Sequence, residues 1–124
     1  MIHLDTNYLI GLAVPGSLPA QKVDKWLADG ERLAASALVW TEFLNGPVTA
    51  QEIVLVESVI EPKLVPFEKR TAVMAAELFN RAGRRRGSRF DCLIAATAIL
   101  ADAELATENK SDFVPFVPFG LKLI

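Results

Sequence analysis

Short apolar runs alternate with stretches in which apolar residues recur every three or four positions. The second pattern is typical of amphipathic helices, and the first of short buried strands. Strands are predicted at residues 2–4, 33–35, 63–67, 104–107 and 120–124. Helices are predicted at 8–12, 18–29, 38–44, 49–60, 68–82 and 88–101. This alternation predicts an α/β domain with a central parallel sheet of four to five short strands, covered by helices on both faces.

The helix predicted at 88–101 is apolar on nearly every face. From Cys92 to Ala101 only Thr97 is polar, so the helix belongs in the interior of the domain. Asp91 lies in its first turn and has two interpretations. Ser88-x-x-Asp91 has the spacing of a capping box, and a carboxylate suits the positive end of a helix dipole. Alternatively, a rigid core helix holds this carboxylate at a functional site.

Composition narrows the class of protein. A chain of 124 residues predicts a single domain, residues 1–124, with a proper core. The net charge of -2 gives no overall basic field, although clustered basic residues can still bind nucleic acid. The N-terminus has no signal-peptide pattern, and residues 92–101 are too few to span a bilayer. We therefore expect a cytoplasmic protein without membrane contact.

Four acids that are distant in sequence are predicted to meet at one edge of the sheet. Asp5 follows the first strand, Glu42 lies in the helix after the second, and Asp112 follows the fourth. Asp91 begins a crossover helix, which starts at the same edge, where open parallel sheets bind their ligands. Each acid alone has a simpler explanation: a helix cap for Asp5, a helix surface for Glu42, a solvated loop for Asp112. Their convergence is what points to a site.

Carboxylates gathered in this way repel one another. A pair about 4 Å apart costs around 4 kcal/mol at an effective dielectric constant near 20. A divalent cation removes that cost, and ligands that are all oxygen favour Mg²⁺ or Mn²⁺ over zinc. Such ions support phosphodiester hydrolysis. Just before Asp91, five arginines occur within residues 81–89 without an intervening acid, which suits a polyanion but also fits a merely solvated loop.

Four segments together resemble the PIN-domain ribonucleases, and their order resembles the VapC toxins of type II toxin–antitoxin systems. The segments are Leu4-Asp5-Thr6-Asn7, the helix around Glu42, residues 91–98 and residues 107–113. The resemblance covers nearly the whole chain. It implies a three-layer α/β/α fold and an endoribonuclease that depends on Mg²⁺ or Mn²⁺.

The resemblance also implies roles for the acids. Asp5, Glu42 and Asp91 match the family's three metal-binding acids. The fourth position is ambiguous, because Asn109 stands where many relatives carry Asp, and Asp112 is the only acid further into the loop. We favour Asp112 as the catalytic and metal-binding residue, with Asn109 assisting.

Further residues and partners follow from the same resemblance. Hydroxyls around the site are expected from Thr6, Ser36 and Thr107. The residues expected to bind RNA are Arg84, Arg85, Arg86 and Arg89. A homodimer and a cognate antitoxin protein are the expected partners. Two alternatives remain open: a PIN-fold module that binds RNA or protein without cutting, and a nuclease that acts on DNA.

Overall fold

A parallel sheet of four short strands forms the centre of the computed structural model, which describes residues 1–124. The strands are β1 (Ile2–Leu4), β2 (Leu33–Ala34), β3 (Glu104–Ala106) and β4 (Lys122–Leu123). Their order is β2-β1-β3-β4, and every pair is parallel. His3 of the central strand β1 pairs with Ala34 on one side and with Leu105 on the other. All carboxyl ends therefore lie at one edge of the sheet.

The strand predicted at 63–67 was wrong in extent. Only Val65 pairs there, in a single parallel bridge with Ser36. Its N–H donates to the Ala35 carbonyl at 3.0 Å, and its carbonyl accepts from the Ala37 N–H at 2.9 Å. The neighbouring chain enters a helix that begins at Ala37, so the pairing does not continue past this bridge. The segment therefore touches the sheet edge beside β2 at one point.

Seven α-helices surround the sheet and complete the three-layer α/β/α fold. They are α1 (Thr6–Leu12), α2 (Leu18–Ala28), α3 (Ala37–Asn45), α4 (Ala50–Val59), α5 (Lys69–Arg81), α6 (Arg89–Leu100) and α7 (Lys110–Phe113). The first six confirm the predicted helices to within about two residues, which is the usual uncertainty of helix ends. Helix α7 was not predicted, because residues 108–112 were expected to form a loop. A 3₁₀ helix, Val114–Phe119, follows it.

The predicted interior position of α6 is confirmed. Its residues Ala95, Ala96 and Ala98 are completely buried. These small side chains let the helix backbone approach the sheet and its neighbouring helix α5 closely. The core around it extends from Ile2 to Leu121 and forms one cluster. None of the helices is both long and apolar enough to cross a membrane.

Helices α1 and α2 touch at a position that requires glycine. A Cβ atom on Gly11 would lie 2.6 Å from Cγ of Pro19 and 2.7 Å from its Cβ. We therefore expect Gly11→Ala to lower the free energy of unfolding by about 1–2 kcal/mol, because overpacking outweighs the better helix propensity of alanine. Urea denaturation measures this. Gly46→Ala is the control, since its Cβ meets nothing closer than 3.4 Å, and equal stability of both variants would contradict the packing argument.

Candidate active site

Asp5 is held rigidly at the carboxyl end of β1. Its side chain is buried, and its Oδ1 accepts a hydrogen bond from the Thr6 N–H at 2.8 Å, so Asp5 does cap α1. Its Oδ2 accepts a hydrogen bond from the Thr107 hydroxyl at 2.7 Å and a longer one from the Asn7 amide at 3.3 Å. The Asp5 side chain thus caps α1 and also lies in the candidate site. These partners fix the carboxylate against rotation.

Asn7 is a site residue to which the sequence analysis gave no role. Its Nδ2 donates to the Asp5 carboxylate and lies 3.4 Å from the Thr107 hydroxyl, and its Oδ1 accepts the Glu108 N–H at 3.1 Å. Thr107 in turn accepts the Asn109 N–H at 3.0 Å. This network ties the start of α1 to the loop after β3. The only signal in the sequence was the position of Asn7, two residues after Asp5 at a helix start.

The Thr107 hydroxyl is expected to stabilise the fold through Asp5. Thr107→Val keeps the shape and removes the donor, so a buried carboxylate loses its shortest side-chain hydrogen bond. We expect the free energy of unfolding to fall by about 1.5–3 kcal/mol, as for hydrogen bonds to charged groups. Urea denaturation at neutral pH tests this. Thr107→Ser retains the hydroxyl and should lose much less; a Thr107→Val variant as stable as wild type would show that the hydroxyl does not support the fold.

Glu42 reaches the site from α3. It is exposed, and its Oε1 accepts a hydrogen bond from the Thr6 hydroxyl at 2.7 Å. Thr6 therefore contacts Asp5 through its backbone and Glu42 through its side chain. Ser36 caps α3, since its buried hydroxyl accepts the Val39 N–H at 3.1 Å. The structure thus places Ser36 at the start of the Glu42 helix, without a hydrogen bond to an acid.

Asp91 stands in the first turn of α6, and the capping box predicted with Ser88 does not form. Ser88 makes no side-chain capping bond; its hydroxyl donates to the Arg85 carbonyl at 2.7 Å. Burial raises the pKa of Asp91 to about 6, and three nearby carboxylates contribute further to this shift. They belong to Asp112, Asp5 and Glu42. The structure therefore brings Asp112, Asp5 and Glu42 within electrostatic reach of Asp91.

The loop after β3 contributes Asp112 from helix α7. Asp112 is exposed, and its backbone carbonyl accepts a hydrogen bond from Nη2 of Arg85 at 3.1 Å. Its negative charge raises the pKa of Asp91, while the charge of Arg85 opposes the shift. Asn109 precedes α7 and supports Thr107 through its backbone N–H, without a side-chain capping bond. Between the two candidates for the fourth position, Asp112 is the one that acts on Asp91.

The four arginines predicted to bind RNA lie in different surroundings. Arg85 faces the acids, as its bond to Asp112 shows. The guanidinium groups of Arg84 and Arg89 lie over the Phe79 ring, at 5.1 and 4.8 Å from its centroid. Arg86 is exposed. Such cation–π contacts contribute about 0.5–1 kcal/mol each at exposed sites.

The chemistry of the donor set fits a hard divalent cation. All four acids supply oxygen, and the charges of Asp112, Asp5 and Glu42 add to the effect of burial in raising the pKa of Asp91, an effect that a cation would offset. As they stand, no three His, Cys, Asp or Glu side chains lie close enough to hold one ion together. Glu42 and Asp112 are exposed, so their side chains are free to turn toward Asp5 and Asp91. Binding an ion would require that movement.

A family model for the PIN domain matches residues 2–114. The chain therefore belongs to the PIN-domain family, and the predicted resemblance to this family is confirmed. No curated protein sequence matches the chain significantly.

Solved structures of similar fold support the architecture. VapBC2 from Rickettsia felis, bound to a DNA fragment from their promoter, is 24% identical with a TM-score of 0.72, over 100% of this chain and 98% of that one. FitAcB from Neisseria gonorrhoeae is 22% identical with a TM-score of 0.76, over 100% and 96%. VapBC-1 from nontypeable Haemophilus influenzae is 21% identical with a TM-score of 0.69, over 100% and 97%. At these identities the similarity establishes the fold.

Proposed function

We propose that this protein is a metal-dependent endoribonuclease, the toxin of a type II toxin–antitoxin pair. The observation that carries the proposal is that Asp112, Asp5 and Glu42 lie within electrostatic reach of Asp91 at the carboxyl edge of the sheet. Burial first, and these three carboxylates next, raise the pKa of Asp91 to about 6. Membership of the PIN-domain family supports nuclease chemistry. The similar folds include VapBC and FitAcB proteins and a toxin–antitoxin complex from Klebsiella pneumoniae, which supports the toxin role.

In this proposal, Asp5 and Asp91 would hold Mg²⁺ or Mn²⁺, and Asp112 would complete the set of ligands. The chemistry that such a cation would supply here is polarisation of a phosphoryl oxygen and easier ionisation of the attacking water. Glu42 orients that water and accepts its proton. Thr6, Asn7 and Thr107 keep the carboxylates in place through the bonds described above. Attack opposite the 3′ oxygen breaks the phosphorus–oxygen bond and leaves a 3′-hydroxyl and a 5′-phosphate.

Substrate and partners follow from the surface. The exposed arginines that precede Asp91 supply the positive charge that a phosphate backbone requires, and Asn109 assists Asp112 at the fourth position of the site. Helices α1, α2 and α4 expose large apolar side chains, among them Ile10, Leu18 and Val54 at 50, 58 and 65%. An apolar surface of this kind supports contacts with an antitoxin and with a second copy of the chain. The proposed site of action is RNA in the cytoplasm.

A PIN-fold module that binds RNA or protein without cutting is the second candidate. The observation in its favour is that the acids do not close around an ion as they stand. The affinity for Mg²⁺ separates the two candidates, because a metal-dependent nuclease must bind the ion, either before or together with RNA, and a binding module need not. Asn109 stands where an acid was expected, which also favours the binding module.

The test is cleavage of an end-labelled RNA of mixed sequence by the purified protein with Mg²⁺, with Mn²⁺ or with EDTA. We expect metal-dependent cleavage that Asp5→Asn abolishes, since Asp5 is the most firmly held acid of the site. Asp24→Asn, an exposed acid on α2, is the control and should cut normally. If no metal binds and no RNA is cut, the nuclease proposal fails and the binding module is favoured. A parallel DNA substrate shows whether cleavage is confined to RNA.

A further inference from the structure

A cleft lies between α5 and the start of α6, on the side of α6 away from the acids. Its volume is about 320 Å³, and we call it the Phe79 cleft. It is lined by Ala75, Ala76, Phe79, Asn80, Arg84, Arg89 and Cys92. Two arginines are the only charged side chains in this lining, and there is no acid. The cleft therefore suits an anionic ligand rather than a cationic one.

The lining of the cleft includes three planar groups, the Phe79 ring and the guanidinium groups of Arg84 and Arg89. The guanidinium groups of Arg84 and Arg89 lie over the ring of Phe79, within about the distance at which cations and aromatic faces attract. A guanidinium group carries five N–H donors, so Arg89, and Arg84 beyond its bond to Asn80, retain donors for a phosphate. Ala75 and Ala76 add small apolar side chains that leave room for a ring. The cleft thus combines phosphate donors with surfaces on which an aromatic ring can stack.

The backbone around Arg84 builds the cleft. Arg84 has a φ of 53°, which is the left-handed region that non-glycine residues rarely occupy, and it follows Gly83 at 92°. This turn returns the chain toward α5, because the Arg84 N–H donates to the Phe79 carbonyl at 2.9 Å. Its guanidinium also donates to the Asn80 side-chain oxygen. Arg84 is therefore held over Phe79 by its main chain as well as by its side chain.

The cleft and the acids share the first turn of α6. Arg89 and Cys92 are three residues apart and lie on the same face of the helix, which borders the cleft. Asp91 lies about 100° around the helix from Cys92, toward the acids. A helix with its side chains is roughly 10–12 Å across, so the two sites are separated by a distance that a short single strand spans.

We propose that the Phe79 cleft binds one nucleotide of a single-stranded RNA whose chain passes around the start of α6 to the acids. Arg84 and Arg89 hold its phosphate, and its base stacks in the cleft, as bases stack on aromatic and guanidinium planes in other RNA-binding proteins. An acidic peptide offers the negative charge but no flat ring, so the cleft favours a nucleotide. This inference rests on the proposed RNA substrate and adds a subsite that selects unpaired RNA.

The experiment measures RNA binding without cleavage. A fluorescein-labelled single strand of about 12 nucleotides, within the size range of single-strand sites, is titrated with protein in EDTA and followed by anisotropy. Arg84→Gln combined with Arg89→Gln is compared with Lys69→Gln combined with Arg70→Gln, which removes the same charge from the other end of α5. Ala76→Leu fills the cleft and keeps both arginines. Circular dichroism confirms that each variant is folded.

We expect the double variant of Arg84 and Arg89 to weaken binding about tenfold or more and to lower the salt dependence of the binding constant by about 0.7, the value for one phosphate contact on a single strand. Ala76→Leu should also weaken binding, and the control pair should change it less than about twofold. The subsite would be overturned if both double variants weakened RNA binding equally, or if Ala76→Leu had no effect on it. Polyglutamate of equal charge is added as a competitor. If it displaces the labelled RNA as well as unlabelled RNA does, and if this displacement requires Arg84 and Arg89, the cleft binds acidic protein instead.

The same titration separates this inference from the proposed function. Wild-type protein that fails to bind RNA in EDTA and fails to cut it with Mg²⁺ overturns both. Wild-type protein that cuts RNA, while the cleft variants bind as tightly as wild type, overturns the subsite alone.

Discussion

Asp91→Asn is expected to reduce RNA cleavage by two to three orders of magnitude, the loss that follows when one preorganised charged or polar group is removed from a catalytic site. Asparagine keeps the size of the side chain but cannot supply a full negative charge to a divalent cation. The fold should survive, because Asp91 forms no capping box with Ser88. The measurement is the single-turnover cleavage rate with Mg²⁺. Full activity of the variant would remove Asp91 from the site.

The same variant should be more stable than wild type when metal is absent. The pKa of Asp91 is raised to about 6, chiefly by burial, so its ionised form is less favourable in the folded state than in the unfolded state. This penalty is absent below the ordinary carboxyl pKa of about 4 and is complete above about pH 6. Solvent at the partly exposed carboxylate reduces its size, and we expect Asp91→Asn to gain about 1–2 kcal/mol at pH 7.

Urea denaturation in EDTA between pH 4 and pH 7.5 measures this gain. The stability difference between Asp91→Asn and wild type should grow as the pH rises through about 6 and should vanish toward pH 4. Adding Mg²⁺ should stabilise wild type and not the variant, since a ligand of the folded state shifts unfolding by mass action. A variant that is less stable at pH 7 would show that the Asp91 carboxylate supports the fold rather than a site.

The placement of the acids could be predicted because it depends on chain order. In a parallel sheet every strand ends at the same edge, so Asp5 after β1 and the loop after β3 had to be neighbours. The apolar composition of α6 likewise fixed its interior position, and with it the first turn that carries Asp91. These inferences need only the period of the pattern and the direction of the strands.

Other features depended on contacts that no local pattern encodes. The segment at 63–67 has the composition of a strand, yet its partner chain enters α3 at Ala37, so the pairing is limited to Val65. The role of Asn7 arises from its bond to Thr107, 100 residues away. Arg84 and Arg85 lie in different surroundings because the backbone of Arg84 is left-handed. The run of basic residues in the sequence does not predict this conformation. Tertiary contacts decided each of these.

Phe43→Ala is expected to have the largest effect on stability, a loss of about 3–5 kcal/mol. Phe43 is completely buried on α3, directly after Glu42, and its ring lies 5.3 Å from that of Trp40. Truncation leaves a cavity in the core that holds α3 against the sheet. Phe43→Leu, which refills most of the volume, should lose much less. Urea denaturation of both variants measures the difference.

The neighbouring Glu42→Gln should show the opposite behaviour. Glu42 is exposed and accepts its hydrogen bond from Thr6 at the site. The free energy of unfolding of the variant should therefore stay within about 0.5 kcal/mol of wild type, while its rate of RNA cleavage falls steeply. Phe43→Leu should instead retain cleavage at temperatures at which it is folded. A Glu42→Gln variant that cuts RNA at the wild-type rate would assign α3 a purely structural role and leave the attacking water without its proposed base.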